Sequence, residues 1–178
     1  MTRAGSLGDP ITRRSWYLIL GLAWCLHNAE EILLASQMLQ FMQSDAPGFL
    51  REFYAGITVS ELQGILLILT AVLLVVIAIS AACAAAAASA FAMMVLAALL
   101  GLNAVFHIVM FIQTGFYLPG LATAVLVSVP VAAALLLRAR RQRWTPGPAF
   151  WAAVPVAVLV HGPVLDALFK VSLSLVRG

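Results

Sequence analysis

Residues 57–81 read ITVSELQGILLILTAVLLVVIAISA, a run whose one charged residue, Glu61, stands close to its start. From Ile65 onward the stretch is apolar on every face, which rules out the one-sided pattern of a soluble amphipathic helix. A helix rises ~1.5 Å per residue, so ~20 such residues cross a ~30 Å hydrocarbon core. The run therefore predicts a transmembrane helix.

Working outward, comparable runs occupy residues 16–39, 91–113, 121–137 and 149–168. They are separated by a polar segment, 40–56, with Pro47-Gly48 as its turn signal, and by an alanine-rich passage at 81–90. Further along come Thr114-Gly115 with Pro119-Gly120, and Arg138 to Arg143 followed by Thr145-Pro146-Gly147-Pro148. The expected architecture is all-α: a polytopic transmembrane bundle of about five spans, one domain over residues 1–178, with almost nothing folded outside the bilayer. Composition agrees. The 178 residues are 63% hydrophobic and 10% charged, where a soluble domain carries roughly 25% charged residues. Small residues of the alanine run would let helices pack closely. The net charge of +3 is too small and too clustered for a nucleic-acid partner.

The charges instead predict topology. Arg3, Arg13 and Arg14 precede the first span, and Arg138, Arg140, Arg141 and Arg143 lie between the fourth and fifth. An even number of spans separates the two clusters, which puts both on one side. By the excess of basic residues inside, the N-terminus is expected in the cytoplasm and the C-terminus outside. Trp16, Tyr17, Trp144 and Trp151 would then mark the inner interface, Tyr54 and Tyr117 the outer. Thr12-Arg13-Arg14-Ser15 resembles a twin-arginine export signal. The following run is too long for a signal core and contains Glu30-Glu31, so it is expected to be a retained span. Cys25 and Cys83 fall in apolar runs and are expected to be two small buried hydrophobes.

The chemistry is expected from the ionisable residues inside these spans. All three histidines, His27, His107 and His161, are there, with Glu30, Glu31, Glu61 and Asp166. Each such group costs on the order of 2.5–3.5 kcal/mol at mid-bilayer, so the set must be mutually satisfied. Counting rise per residue puts His27, Glu30, Glu31, Glu61, Asn103, His107, His161 and Asp166 in one layer in the outer half of the bilayer, about 17–25 Å from the inner face. His27, Glu30 and Glu31 are at i, i+3 and i+4 on one helix face, and Asn103 and His107 are at i, i+4. Bundles build metal centres from His and carboxylate groups projecting inward in this way. Structural roles stand beside the functional ones: a hydrogen-bonded lock for His27, an interhelical bridge for Asn103, and backbone satisfaction near Pro163 for His161. Glu61 could reach headgroups, and Asp166 could pair with Lys170.

His27-Asn28-Ala29-Glu30-Glu31, with Asn103-x-x-x-His107 and Pro119-Gly120, resembles the HXXEE-domain family of small bacterial membrane proteins. The resemblance covers most of the chain. It implies that His27, Glu30, Glu31 and His107 belong together; with the spans and charges above, the expected location is the bacterial cytoplasmic membrane, as a multi-pass protein. It brings no reaction with it.

From the residues, the expected function is a membrane-embedded metal-dependent enzyme acting on a lipid or other apolar substrate. Imidazole with carboxylate suits zinc or iron. In a zinc hydrolase, His27, His107 and His161 would hold the metal, Glu31 would act as base, and Glu30 would be a ligand or its partner, with Asn103 and Asp166 supporting and Glu61 a further acid–base candidate. An iron-dependent oxidoreductase would use the surplus carboxylate. A metal-free isomerase or cyclase would use a protonated Glu. A transporter or proton relay fits less well, because the polar groups form a layer instead of a path across the membrane.

Overall fold

The structure is a computed structural model that describes residues 10–178, with side chains from residue 13 onward. Arg3 lies outside the described residues, as does the side chain of Thr12. Among the described residues, seven helices follow in order: α1 (Pro10–Leu33), α2 (Ala35–Ser44), α3 (Gly48–Tyr54), α4 (Val59–Ala82), α5 (Ala87–Thr114), α6 (Leu121–Arg141) and α7 (Gly147–Arg177). No strand occurs among the described residues.

Helices α4 to α7 are each long and apolar enough to cross a membrane, and α1 reaches that standard together with α2 across a bend of 70°. Large apolar side chains such as Leu33, Ile112 and Leu126 point outward, more than 70% exposed. Contiguous apolar surface of this kind needs lipid around it. The protein is thus a multi-pass, all-α membrane bundle.

Local chemistry sets the helix ends. Thr58 and Glu61 form a capping box at the start of α4: Thr58 N–H donates to Glu61 Oε2 at 2.7 Å, and Glu61 N–H donates to Thr58 Oγ1 at 3.3 Å. Gly115, at φ +68°, ends α5 in the left-handed conformation that glycine adopts without a Cβ penalty. Two helices widen into π turns beside proline. In α6 the turn is Ala124–Ser128, just before Pro130, and in α7 it is Val160–Val164, which contains Pro163. A proline inside a helix removes a donor and crowds the preceding turn, and the wider turn accommodates both.

Helix α5 lies at the centre. Its Met93, Met94, Ala97 and Leu100 are buried against Tyr17, Leu20 and Trp24 of α1, Leu135 and Ala139 of α6, and Ala153 and Ala157 of α7. Alanines at the crossings with α7 let the backbones approach where lipid offers no hydrophobic drive between helices. The two basic clusters meet at one end of this bundle, since Trp16 of α1 lines a cleft with Arg138 and Arg141 of α6.

Several details depart from the sequence expectations. The first span stops at Leu33 instead of residue 39, and the chain turns by 70° into α2. The polar segment 40–56 is largely helical: α2 and α3 fold over the end of the bundle. Phe41 and Met42 of α2, with Ala46 of the turn that follows, pack with Ile57, Leu62, Leu118 and Phe169. The physical reason is amphipathicity. Ser36, Gln37, Gln40 and Gln43 are too polar to continue through lipid, while Met38, Leu39, Phe41 and Met42 form a buried face. Of the inner aromatic belt, Trp151 is exposed and Trp16 lines a cleft, but Tyr17 and Trp144 are wholly buried. Each has an internal partner: Tyr17 donates to the Ser89 carbonyl and Trp144 Nε1–H donates to Gln142 Oε1 at 2.8 Å. Cys25 is half-buried and Cys83 is exposed, because α4 ends at Ala82 and Cys83 falls in the turn.

Candidate metal centre

Toward the C-terminal end of α1, His27, Glu30 and Glu31 occupy adjacent turns on one face. Asn103 and His107 face them from α5, and the start of α6 closes the third side. His27, Glu31 and His107 are almost completely buried, and one ligand atom from each lies within 4.8 Å of the others. Glu31 Oε1 is 3.1 Å from His107 Nε2 and 3.6 Å from His27 Nε2. The two imidazoles meet edge to face, with ring centroids 4.9 Å apart. Two metal–ligand bonds of about 2.1 Å span at most ~4 Å, so both separations suit a shared first-row cation.

Glu30 points elsewhere. Its Oε2 accepts Thr123 N–H at 2.9 Å and Thr123 Oγ1–H at 2.7 Å, and its Oε1 accepts from Tyr117 Oη and from Ala122 N–H at 3.4 Å. Ala122 and Thr123 are in the first turn of α6, whose leading amides have no partner within the helix. A carboxylate there is stabilised by those donors and by the positive end of the helix dipole. Outside the spans, burial and the Glu30 carboxylate push the Tyr117 phenol above its ordinary pKa, so it stays a donor.

These bonds also decide the His27 tautomer. The one hydroxyl hydrogen of Thr123 is taken by an acceptor, the Glu30 carboxylate at 2.7 Å or the Gly120 carbonyl at 3.1 Å, so Thr123 Oγ1 accepts from His27 Nδ1–H at 3.0 Å. That leaves the lone pair of His27 on Nε2, facing Glu31, where the Asn103 amide nitrogen contacts it at 2.6 Å. Metal-bound histidines are oriented in this way, by a hydrogen bond from the second ring nitrogen. For His107 the second nitrogen, Nδ1, is buried without a partner among the described residues.

Gly120 forms the floor beneath both rings. A Cβ there would stand 2.6 Å from His107 Cε1 and 2.9 Å from His27 Cε1, and its φ of +99° is strained for any L side chain. The Pro119-Gly120 step thus serves close backbone approach as well as a turn.

The other sequence candidates are not members of this group. His161 is half-buried on the widened turn of α7 and is not part of the three-residue group. A three-histidine set is therefore not what the fold assembles; the third donor beside His27 and His107 is Glu31. Depth along a helix says nothing about which way its side chains face, and α7 packs on α5 with Ala153 and Ala157. Glu61 caps α4 and pairs with Arg177 Nε at 2.7 Å. Asp166 pairs with Lys170 at 2.8 Å, both partners exposed. Thr123 and Tyr117 were not site candidates in the sequence, where Tyr117 read only as an interface aromatic. A threonine three residues after a Pro-Gly turn, at a helix start, was the available signal for Thr123; nothing local marked Tyr117.

No curated protein and no solved structure matches the chain. Residues 18–135 match the family described as "Protein of unknown function with HXXEE motif". With that match over most of its length, and with His27, Glu30 and Glu31 as its H-x-x-E-E, the chain belongs to the HXXEE family.

Proposed function

We propose that this protein is a metal-dependent enzyme embedded in the membrane, acting on a lipid or other apolar substrate, with the metal held by His27, Glu31 and His107. What supports this reading is the buried trio whose ligand atoms lie within 4.8 Å of one another. Leaving a carboxylate between two imidazoles in a dry bundle is costly unless a cation or a proton joins them. Two imidazoles and one carboxylate form the donor set of zinc hydrolases and of non-haem iron(II) oxidoreductases alike. Bound there, zinc would supply Lewis-acid activation of water, and iron(II) would supply redox chemistry. The chain's own residues would orient the ligands: Thr123 fixes His27 with Nε2 free, and Glu30 fixes Thr123. A cation at His27 Nε2 requires the Asn103 amide to turn, and once turned it would present its oxygen as a fourth donor. Relative to the sequence expectation, Glu31 thereby moves from base to ligand, and Glu30 keeps only the supporting role, at a distance through Thr123. The proposed setting is the bacterial cytoplasmic membrane, N-terminus inside.

Elemental analysis of the purified protein, after reconstitution with Zn²⁺ or anaerobically with Fe²⁺, tests the reading. The expected result is one metal per chain, lost in His107→Ala and Glu31→Gln and kept in Glu30→Gln. No metal in the unmodified protein would end the proposal in favour of a metal-free acid–base enzyme built on the Glu31–His107 pair, which lies at 3.1 Å.

A further inference from the structure

At the far end of the bundle from the His/Glu cluster, Arg138 and Arg141 lie beside Trp16 at the start of α1, and Arg140 and Arg143 lie beside the start of α7. No described carboxylate pairs with them: the described ion pairs involve Glu31, Asp166 and Glu61, all toward the opposite end. Within this basic end is a cleft of about 370 Å³ between α1 and α6, lined by Trp16, Ala134, Leu137, Arg138, Arg141 and Gln142. Arg138 lies with its guanidinium carbon 5.9 Å from the centre of the Trp16 ring. Its Nε is buried and has no hydrogen-bond partner among the described residues. Arg141 follows one helical turn later on the same face and is exposed.

We propose that this cleft binds the phosphate of an anionic phospholipid headgroup. A buried guanidinium nitrogen without an acceptor is costly, and a phosphate oxygen fits the planar fork of arginine. The stack on Trp16 holds that fork in place, and Arg141 adds a second charge at the cleft mouth. Apart from Gln142, the remaining walls are apolar. Ala134 lies one turn deeper than Arg138 along α6, and Leu137 one turn deeper than Arg141, where the first methylenes of an acyl chain would run. A free phosphate would gain nothing from that wall. The cleft also lies at the end of the spans, the depth at which headgroups and interfacial tryptophans are found.

Native mass spectrometry of the purified full chain tests this, with phosphatidylglycerol, phosphatidylcholine of the same acyl chains, and inorganic phosphate as probes. One phosphatidylglycerol should be retained per chain in preference to phosphatidylcholine. Each arginine near a headgroup contributes about fivefold, so Arg141→Gln should weaken retention about fivefold and R138Q/R141Q about thirtyfold. Arg141 is exposed, so its single variant reports even if the double variant folds poorly. Arg51→Gln, exposed at the opposite end, should change nothing. Displacement of phosphatidylglycerol by millimolar inorganic phosphate would keep the phosphate site but assign it to the free anion. Equal retention of both lipids, or an undiminished preference in Arg141→Gln, would overturn the proposal.

Discussion

Two sets of acidic residues sit toward the same end of this bundle, and the fold treats them in opposite ways. Glu61 and Asp166 lie on the outside of α4 and α7, each paired with a long cation, Arg177 or Lys170. Glu30 and Glu31 lie where α1 meets α5 and α6, with no arginine or lysine among their described partners. Glu30 is satisfied by neutral donors and a helix start, Glu31 by two imidazoles. An exposed pair can reach water and headgroups, so its partner may be flexible and the bond weak. A buried carboxylate has no such recourse, and each lone pair needs a donor or a cation. The comparison shows that equal depth along a helix carries little information about role. The direction of the side chain around the helix axis separates a solvated pair from a site.

The difference can be broken most severely at the trio. His107→Ala removes one of three donors and should lower metal affinity by at least a hundredfold, while Asp166→Asn leaves it unchanged; elemental analysis of both variants compares the two regions directly. Equal metal content in the two would erase the distinction drawn between them.

Gly120→Ala comes next. Its Cβ would stand 2.6 Å from His107 Cε1, and φ of +99° adds strain of about 1–3 kcal/mol. Both the melting temperature in detergent and the metal content should fall. A variant with wild-type stability would mean that the floor beneath the rings is softer than the geometry indicates. Gly56, also at positive φ but with no heavy atom near its Cβ position, separates strain from clash: Gly56→Ala should cost the strain alone.

Thr123→Val tests the link between the two glutamates. It removes the hydroxyl that accepts from His27 Nδ1 and donates to Glu30, and loss of such an orienting partner typically weakens metal binding about 10–100-fold. Thr123→Ser should restore most of it. If Thr123→Val kept full metal binding while Thr123→Ser lost it, the methyl group and not the hydroxyl would be the working part.

The smallest expected effect concerns pH. The Tyr117 phenol has its pKa raised by burial and by Glu30, so the folded state holds its proton more tightly than the unfolded chain does. The stabilisation is complete below the ordinary phenol pKa of about 10 and is lost as pH rises through the higher folded value. Tyr117→Phe should flatten that part of the stability profile, compared with the unmodified protein over the same alkaline range.

The all-α membrane class was legible in composition and run length, because lipid forces the backbone to satisfy itself within each helix. Residues 57–81 and 91–113 correspond closely to α4 and α5. That His27 shares a face with Glu31, and Asn103 with His107, was legible too, since i, i+4 spacing places side chains on one face whatever the rest of the fold does. Segment 40–56 was misread because Pro47-Gly48 and scattered glutamines masked two short amphipathic helices.

What the sequence determined alone is therefore local: which stretches cross, which residues share a helix face, and that charged groups in lipid must find partners. Tertiary structure decided which partners they find. It brought Glu31, not His161, between His27 and His107, and it set Glu30 on the first amides of α6 through Tyr117 and Thr123, some 90 residues away. Those choices depend on how each helix is rotated about its own axis and on a backbone close enough at Gly120 to touch two rings. Helix rotation is settled by packing against neighbours that are distant in sequence, so spacing within one helix cannot encode it.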